Sequence, residues 1–170
     1  EFTGYLCLAS HGAAIAVIIA MYFYSKKVLH KPVLWILDRI VLPVAFGGIF
    51  IRFGNLMNSE IVGKPTHTDY GFIFKQLGED FPRHPAQIYE IVGYIITFAI
   101  LWYVYWKTDK KDKLGYIFGL FMVLLWSVRF IAEFFKDGQV ASREDWVLNT
   151  GQLLSIPFIL SGFYFMYFIK

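Results

Sequence analysis

A single cysteine, Cys7, is present among the 170 residues. One thiol excludes an intramolecular disulfide and a cysteine-based metal site, so Cys7 reads as a packed small residue. Histidine is sparse too, at four residues, and neither an HExxH run nor any other helix spaced for metal ligands occurs. His67 and Asp69 share a loop, but two donors in a loop make no coordination shell. Charged residues amount to only 17%, too few to clothe a water-facing surface. The lysines and arginines are divided among separate loops instead of forming one basic face, which argues against a nucleic-acid partner. There is no internal repeat, no low-complexity tract and no basic start followed by a small-residue cleavage site.

What is abundant is apolar surface. Hydrophobic residues make up 57% of the chain and aromatics 20%, with a mean hydropathy of +0.51. That composition belongs to polytopic membrane proteins. Five apolar runs stand out, at 12–24, 33–53, 86–106, 114–135 and 152–169. The last four approach the length needed to cross a hydrocarbon core of roughly 30 Å. The first is short, and a start at Glu1 instead of methionine points to further sequence upstream. The expected fold is an all-α integral membrane bundle of about five transmembrane helices, with 1–170 forming one transmembrane domain.

Lys26, Lys27 and Lys31 lie in one short connector, and Lys107, Lys110, Lys111 and Lys113 in another. Lysine-rich short loops stay in the cytoplasm, so parity sends the 54–85 connector and the 136–151 connector outside and returns Lys170 to the cytoplasm. The net charge of +3 is therefore a topology signal. Pro65, Pro82 and Pro85, together with Gly71 and Gly78, mark 54–85 as a small external cap of turns and short elements.

Against this apolar background the intramembrane polar groups are costly, and they gather at one depth. Arg52 falls in the last turn of the second span, followed by Gly54, Asn55, Asn58 and Glu60. Arg129 lies about 22 Å along the fourth span from its cytoplasmic end, in the same outer half as Arg52. Arg129 and Glu133 are spaced i,i+4, share a face with Met122 and Trp126, and are able to pair. His11, after Ser10 as a helix cap, opens the first span at that depth as well. Each group also has a plainer reading. Arginines near a helix end snorkel, asparagines cap helices, and an interfacial histidine bonds a loop carbonyl. Two guanidiniums at the outer-leaflet level nevertheless match a phospholipid phosphate, because the planar fork binds phosphate oxygens bidentately. Permanently charged, they are excluded as bases, whereas an imidazole with a pKa of about 6.5 takes a proton at neutral pH.

Elsewhere, Asp38 and Arg39 sit at the inner end of the second span, where they pair or snorkel. Ala9, Ala13, Ala16 and Ala20 form one small-residue stripe and Gly115 with Gly119 another, both expected as helix-packing seams. Pro85 begins the third span, with Gln87 and Glu90 in its opening turns as helix-entry residues, while Arg83 and His84 lie within reach of lipid headgroups. Gly151, Gln152 and Ser155 open the fifth span, the last two able to supply neutral hydrogen bonds.

Five ordered blocks, Ser10 to Gly12, Arg52 through Glu60 to Gly63, Pro82 to Glu90, Arg129 with Glu133 and Lys136, and Gly151 to Pro157, closely resemble the prolipoprotein diacylglyceryl transferase family. The likeness runs through nearly the whole chain and corresponds to the later part of that seven-helix family, without its first helices. It implies a multi-pass enzyme of the bacterial inner membrane, with its active site toward the outer leaflet and its C-terminus in the cytoplasm. The implied reaction moves the diacylglyceryl group of phosphatidylglycerol onto the lipobox cysteine of a prolipoprotein, without a cofactor. The implied partners are phosphatidylglycerol, lipobox-containing prolipoproteins and the lipid bilayer.

By that resemblance the essential arginines fall on Arg52 and Arg129, the histidine on His11, the signature asparagine on Asn55 and the signature glycine on Gly63. Asn58, Glu60 and Glu133 complete the expected substrate-binding set, with Glu133 orienting Arg129 and His11 accepting the thiol proton. Leu125 and Trp126 depart from the family, many members of which carry tyrosine and glycine there. A transporter or a lipid-binding scaffold is the competing class. It fits less well, because a conduction path needs polar residues through to the inner side, where the third to fifth spans are rich in Ile, Phe, Leu and Tyr.

Overall fold

The computed structural model describes residues 10–136 and 150–168, with side chains outside 10–15, 18 and 150. All regular secondary structure among these residues is helical. Five α-helices run α1 (Ser10–Tyr24), α2 (Val33–Met57), α3 (Ala86–Lys107), α4 (Tyr116–Ala132) and α5 (Thr150–Tyr167). Two of them, α2 and α3, are long and apolar enough to cross a membrane, while α4 and the Gly151–Tyr167 stretch are shorter apolar helices.

The breaks between helices have local causes. A widened turn at Ser25–Leu29 prolongs α1 and ends at His30, whose φ of 50° lies in the left-handed region. Pro32 then stands immediately before α2, as Pro85 does before α3. Gly115 takes φ +79° at the entrance to α4, and its N–H and that of Phe118 donate to the two carboxylate oxygens of Asp38 at 2.7 and 2.8 Å. Asp38, 1% exposed, is thus a cap supplied to α4 by α2 and is not a snorkelling residue at the inner surface. Arg39 turns back to donate to the Trp35 carbonyl at 2.8 Å, with its guanidinium 3.5 Å from the Trp35 ring centroid.

Val41 and Ala45 of α2, Leu101 of α3, and Ile117, Phe121 and Met122 of α4 form the central core. Glycines set how closely the helices approach. At Gly119 a Cβ would come within 2.6 Å of the Gly162 carbonyl oxygen, and at Gly162 within 2.7 Å of the Gly119 oxygen, so α4 and α5 cross backbone to backbone. Gly119 is therefore a packing seam as expected, whereas Gly115 serves the turn instead. Gly93 of α3 likewise receives Val128 of α4. Of the alanine stripe on α1, Ala16 and Ala20 are exposed. Ala9 lies outside the described residues, as does the Ala13 side chain.

Outward-facing positions carry large apolar side chains, among them Phe50 and Ile51 on α2, Tyr103 on α3 and Leu160 on α5, each at least 60% exposed. The 58–85 connector has turns, a short 3₁₀ turn at Lys75–Leu77, and isolated bridges pairing Pro65 and Phe72 with Arg83, and Gly63 with Lys136.

Candidate functional site

Ile51 and Phe53 are 65% and 52% exposed, so the helical phase of α2 turns Arg52 between them inward, to 9%. A buried guanidinium demands a counter-ion. It is Glu90 of α3, 0% exposed, whose Oε2 lies 3.3 Å from Arg52 Nε. The other oxygen of Glu90 accepts from Lys136 Nζ at 2.9 Å, and Lys136 is 3.6 Å from Glu133 Oε2. Lys136 reaches this position because the Gly63–Lys136 bridge folds the end of α4 onto the cap.

α2 continues past Gly54 to Met57, which carries Asn55 on the turn after Arg52. Arg52 donates to Asn55 Oδ1 in a long 3.4 Å contact, and Asn55 Nδ2 donates to Glu60 Oε2 at 2.8 Å. Glu60 is fixed from both sides, its N–H donating to the Asn55 carbonyl at 2.8 Å and its own carbonyl accepting from Gln87 Nε2 at 2.7 Å. The residues flanking it, Ser59 and Ile61, adopt φ of 54° and 56°. For β-branched Ile61 this is strained backbone, held by the contacts around it. Arg52, Asn55, Glu60, Gln87 and Glu90 therefore close a ring across the α2–α3 junction.

Gly63 meets a steric demand. Its N–H donates to the His84 carbonyl at 3.1 Å, and its own carbonyl accepts from Arg83 at 3.1 Å. A Cβ there would lie 2.3 Å from the His84 oxygen and 2.7 Å from that of Phe135. Arg83 is held in turn by the Glu79 carboxylate, with both contacts at 2.6 Å.

Arg129 sits with its guanidinium 5.2 Å from the ring centroid of Trp126, which stacks on Phe158 of α5 at 4.2 Å. The pairing expected between Arg129 and Glu133 is not among the described ion pairs. Glu133 caps α4 in helical conformation, its N–H donating to the Arg129 carbonyl at 3.0 Å, and its carboxylate lies 3.6 Å from Lys136 and beside the start of α5, where a Cβ on Gly151 would come within 2.6 Å of its Cδ. A carboxylate at a helix N-terminus is favoured by the helix dipole. Asn58 caps α2 and is exposed, apart from the ring. His11 is in the first turn of α1, and its side chain lies outside the described residues. Ser155 Oγ is committed to the Gly151 carbonyl at 2.7 Å.

Glu90, Lys136 and Gln87 belong to this assembly and Tyr94 lies buried one turn beyond Glu90, but none was marked out by sequence reasoning as a member. A signal existed for the three on α3. Gln87, Glu90, Tyr94, Thr97 and Leu101 are its buried stripe at helical spacing, and a carboxylate within such a stripe needs a partner.

A family model described as prolipoprotein diacylglyceryl transferase matches residues 5–168. The chain belongs to this family. The curated relatives include the phosphatidylglycerol–prolipoprotein diacylglyceryl transferase of Bacteroides fragilis, 41% identical over 99% of this chain and 60% of the relative. Those of Tolumonas auensis and Chloroherpeton thalassium are 40% and 43% identical, covering 94% and 91% of this chain and 61% and 58% of their own. The chain thus spans about 60% of the length of these transferases, and it carries the Arg52–Glu90 ring of the α2–α3 junction within the matched stretch.

Proposed function

We propose that this chain forms the headgroup-binding part of a phosphatidylglycerol–prolipoprotein diacylglyceryl transferase. The observation that carries the reading is Arg52, buried at the end of α2 with Glu90 paired along its Nε edge at 3.3 Å and a long contact from a terminal nitrogen to Asn55. A guanidinium held in this way keeps its fork for an anion. The names of the relatives supply the substrates, a phosphatidylglycerol and a prolipoprotein.

In this reading the five helices cross the bacterial inner membrane, the 54–85 connector caps the outer face, and the C-terminus is cytoplasmic. The exposed apolar side chains then meet lipid. The thiolate of the lipobox cysteine attacks the glycerol carbon that bears the phosphodiester. A carbon–sulfur bond forms, the carbon–oxygen bond breaks, and its electron pair leaves on glycerol phosphate. Arg52 and Arg129 stabilise the charge growing on that phosphate. Asn55 and Glu60 orient the headgroup, Gly63 holds the cap against α3, and Glu133 neutralises Lys136. Asn58 borders the headgroup from the helix cap. A free thiol with a pKa of about 8.5 is only slightly ionised at neutral pH, so His11 accepts its proton and the glycerol phosphate finally carries it away.

The test is thioether formation from phosphatidylglycerol and a lipobox peptide by the full-length protein. Arg52→Ala and Arg129→Ala are each expected to abolish it while the variants remain folded. Full activity in either folded variant removes that arginine from the phosphate site.

A further inference from the structure

Tyr94 lies on α3 one turn beyond Glu90 and is 4% exposed. Its hydroxyl lies against Arg52, and Arg129 and Glu90 are within its electrostatic reach. It is thus a neutral polar group on a third helix, and its neighbour Gly93 packs against Val128, the residue before Arg129. The ring is seated over Gly48 of α2, where a Cβ would come within 3.2 Å of Tyr94 Cδ2 and 3.4 Å of Cε2. That contact limits movement of the ring toward α2 and fixes where the hydroxyl sits.

The proton of this hydroxyl needs an acceptor. Guanidinium groups only donate, so neither arginine can take it, and each can engage the phenol only through an oxygen lone pair. Glu90, on the same face, acts on the phenol only through space: its Oε1 takes Lys136 at 2.9 Å, and its Oε2, 3.3 Å from Arg52 Nε, accepts no hydrogen bond among the described residues. A phenol that accepts from a cation is polarised into a stronger donor. What completes a strong neutral donor set beside two guanidiniums is an anionic oxygen.

We propose that Tyr94 is a substrate-binding residue of this site, its hydroxyl donating to a phosphate oxygen of the phospholipid held between Arg52 and Arg129. This rests on the transferase reading above. The hydroxyl adds direction to a pair of cations whose attraction is otherwise non-specific, and it strengthens as charge moves onto the departing phosphate.

The experiment compares the full-length protein with Tyr94→Phe, which removes one oxygen and keeps the ring over Gly48. Thioether formation is followed at varied phosphatidylglycerol and varied lipobox peptide, with glycerol phosphate as a product inhibitor. The expected result is a loss of about tenfold in kcat/KM for the lipid, from one hydrogen bond to a charged group. A matching weakening of glycerol phosphate inhibition is expected, with KM for the peptide and the melting temperature unchanged. Gly48→Ala, which crowds the ring but keeps the hydroxyl, should give a smaller loss in the same two quantities. Unchanged lipid kinetics in Tyr94→Phe overturn the proposal, as does a loss shared equally by both substrates with a lowered melting temperature. Absence of transfer by the unsubstituted protein would instead overturn the transferase reading itself.

Discussion

Lys136 Nζ lies 2.9 Å from Glu90 Oε1, which ties the segment after α4 to the second turn of α3 through a carboxylate that is 0% exposed. The same carboxylate faces Arg52, so one anion is shared by two cations arriving from different parts of the chain. Burying the three charges is tolerable only as a set, because each unpaired member would bear its own desolvation cost.

Lys136→Met should therefore destabilise the protein by about 3 kcal/mol, the scale for breaking a buried pair from one side. Thermal melting in detergent measures it. Glu90 then still faces Arg52, so adding Glu90→Gln to that variant leaves the buried guanidinium unpaired and should lower stability further. Transfer activity should stay low in the double variant, since Arg52 has then lost the partner that orients it. A double variant as stable as Lys136→Met would contradict the shared-anion account.

At Gly63 the constraint is steric. A methyl group there meets backbone carbonyls of two segments, those of His84 and Phe135, and neither can yield as a flexible side-chain tip would. Gly63→Ala should open the Gly63–Lys136 bridge and withdraw Lys136 from Glu90, with a loss of transfer activity of about tenfold or more. Faster hydrogen exchange at the Gly63 and Lys64 amides, whose acceptors are the His84 and Phe135 carbonyls, would report the opening directly.

Asp38 is expected to act on stability at a distance from the site. Asp38→Ala leaves the Gly115 and Phe118 amides without their cap and should cost about 2 kcal/mol. Asp38→Asn keeps one acceptor oxygen and should cost roughly half as much. Equal stability of both variants and the unsubstituted protein in chemical or thermal melts would mean that the cap contributes nothing.

The helices themselves were legible in the sequence, because apolar run length is a local property. The expected 33–53 run became α2 over Val33–Met57 and the 86–106 run became α3 over Ala86–Lys107. The fourth run was read as too long at its outer end. α4 stops at Ala132 because the chain there turns to bridge the cap. Glu133, at that stop, lies 3.6 Å from Lys136, a neighbour that spacing within the run did not suggest.

Family membership could be read from residue order alone, since Arg52, Asn55, Glu60 and Gly63 each sit within a short ordered block. The neighbours of Glu90, Lys136, Tyr94 and Asp38 could not, because each lies remote along the chain. Asp38 and Gly115 are 77 residues apart, and Lys136 and Glu90 are 46 apart. A sequence states which charges must be paired if they are buried. Only the packing of α2 against α3 and α4 decides which are buried and with whom, because desolvation turns a tolerable surface charge into one that requires a particular neighbour.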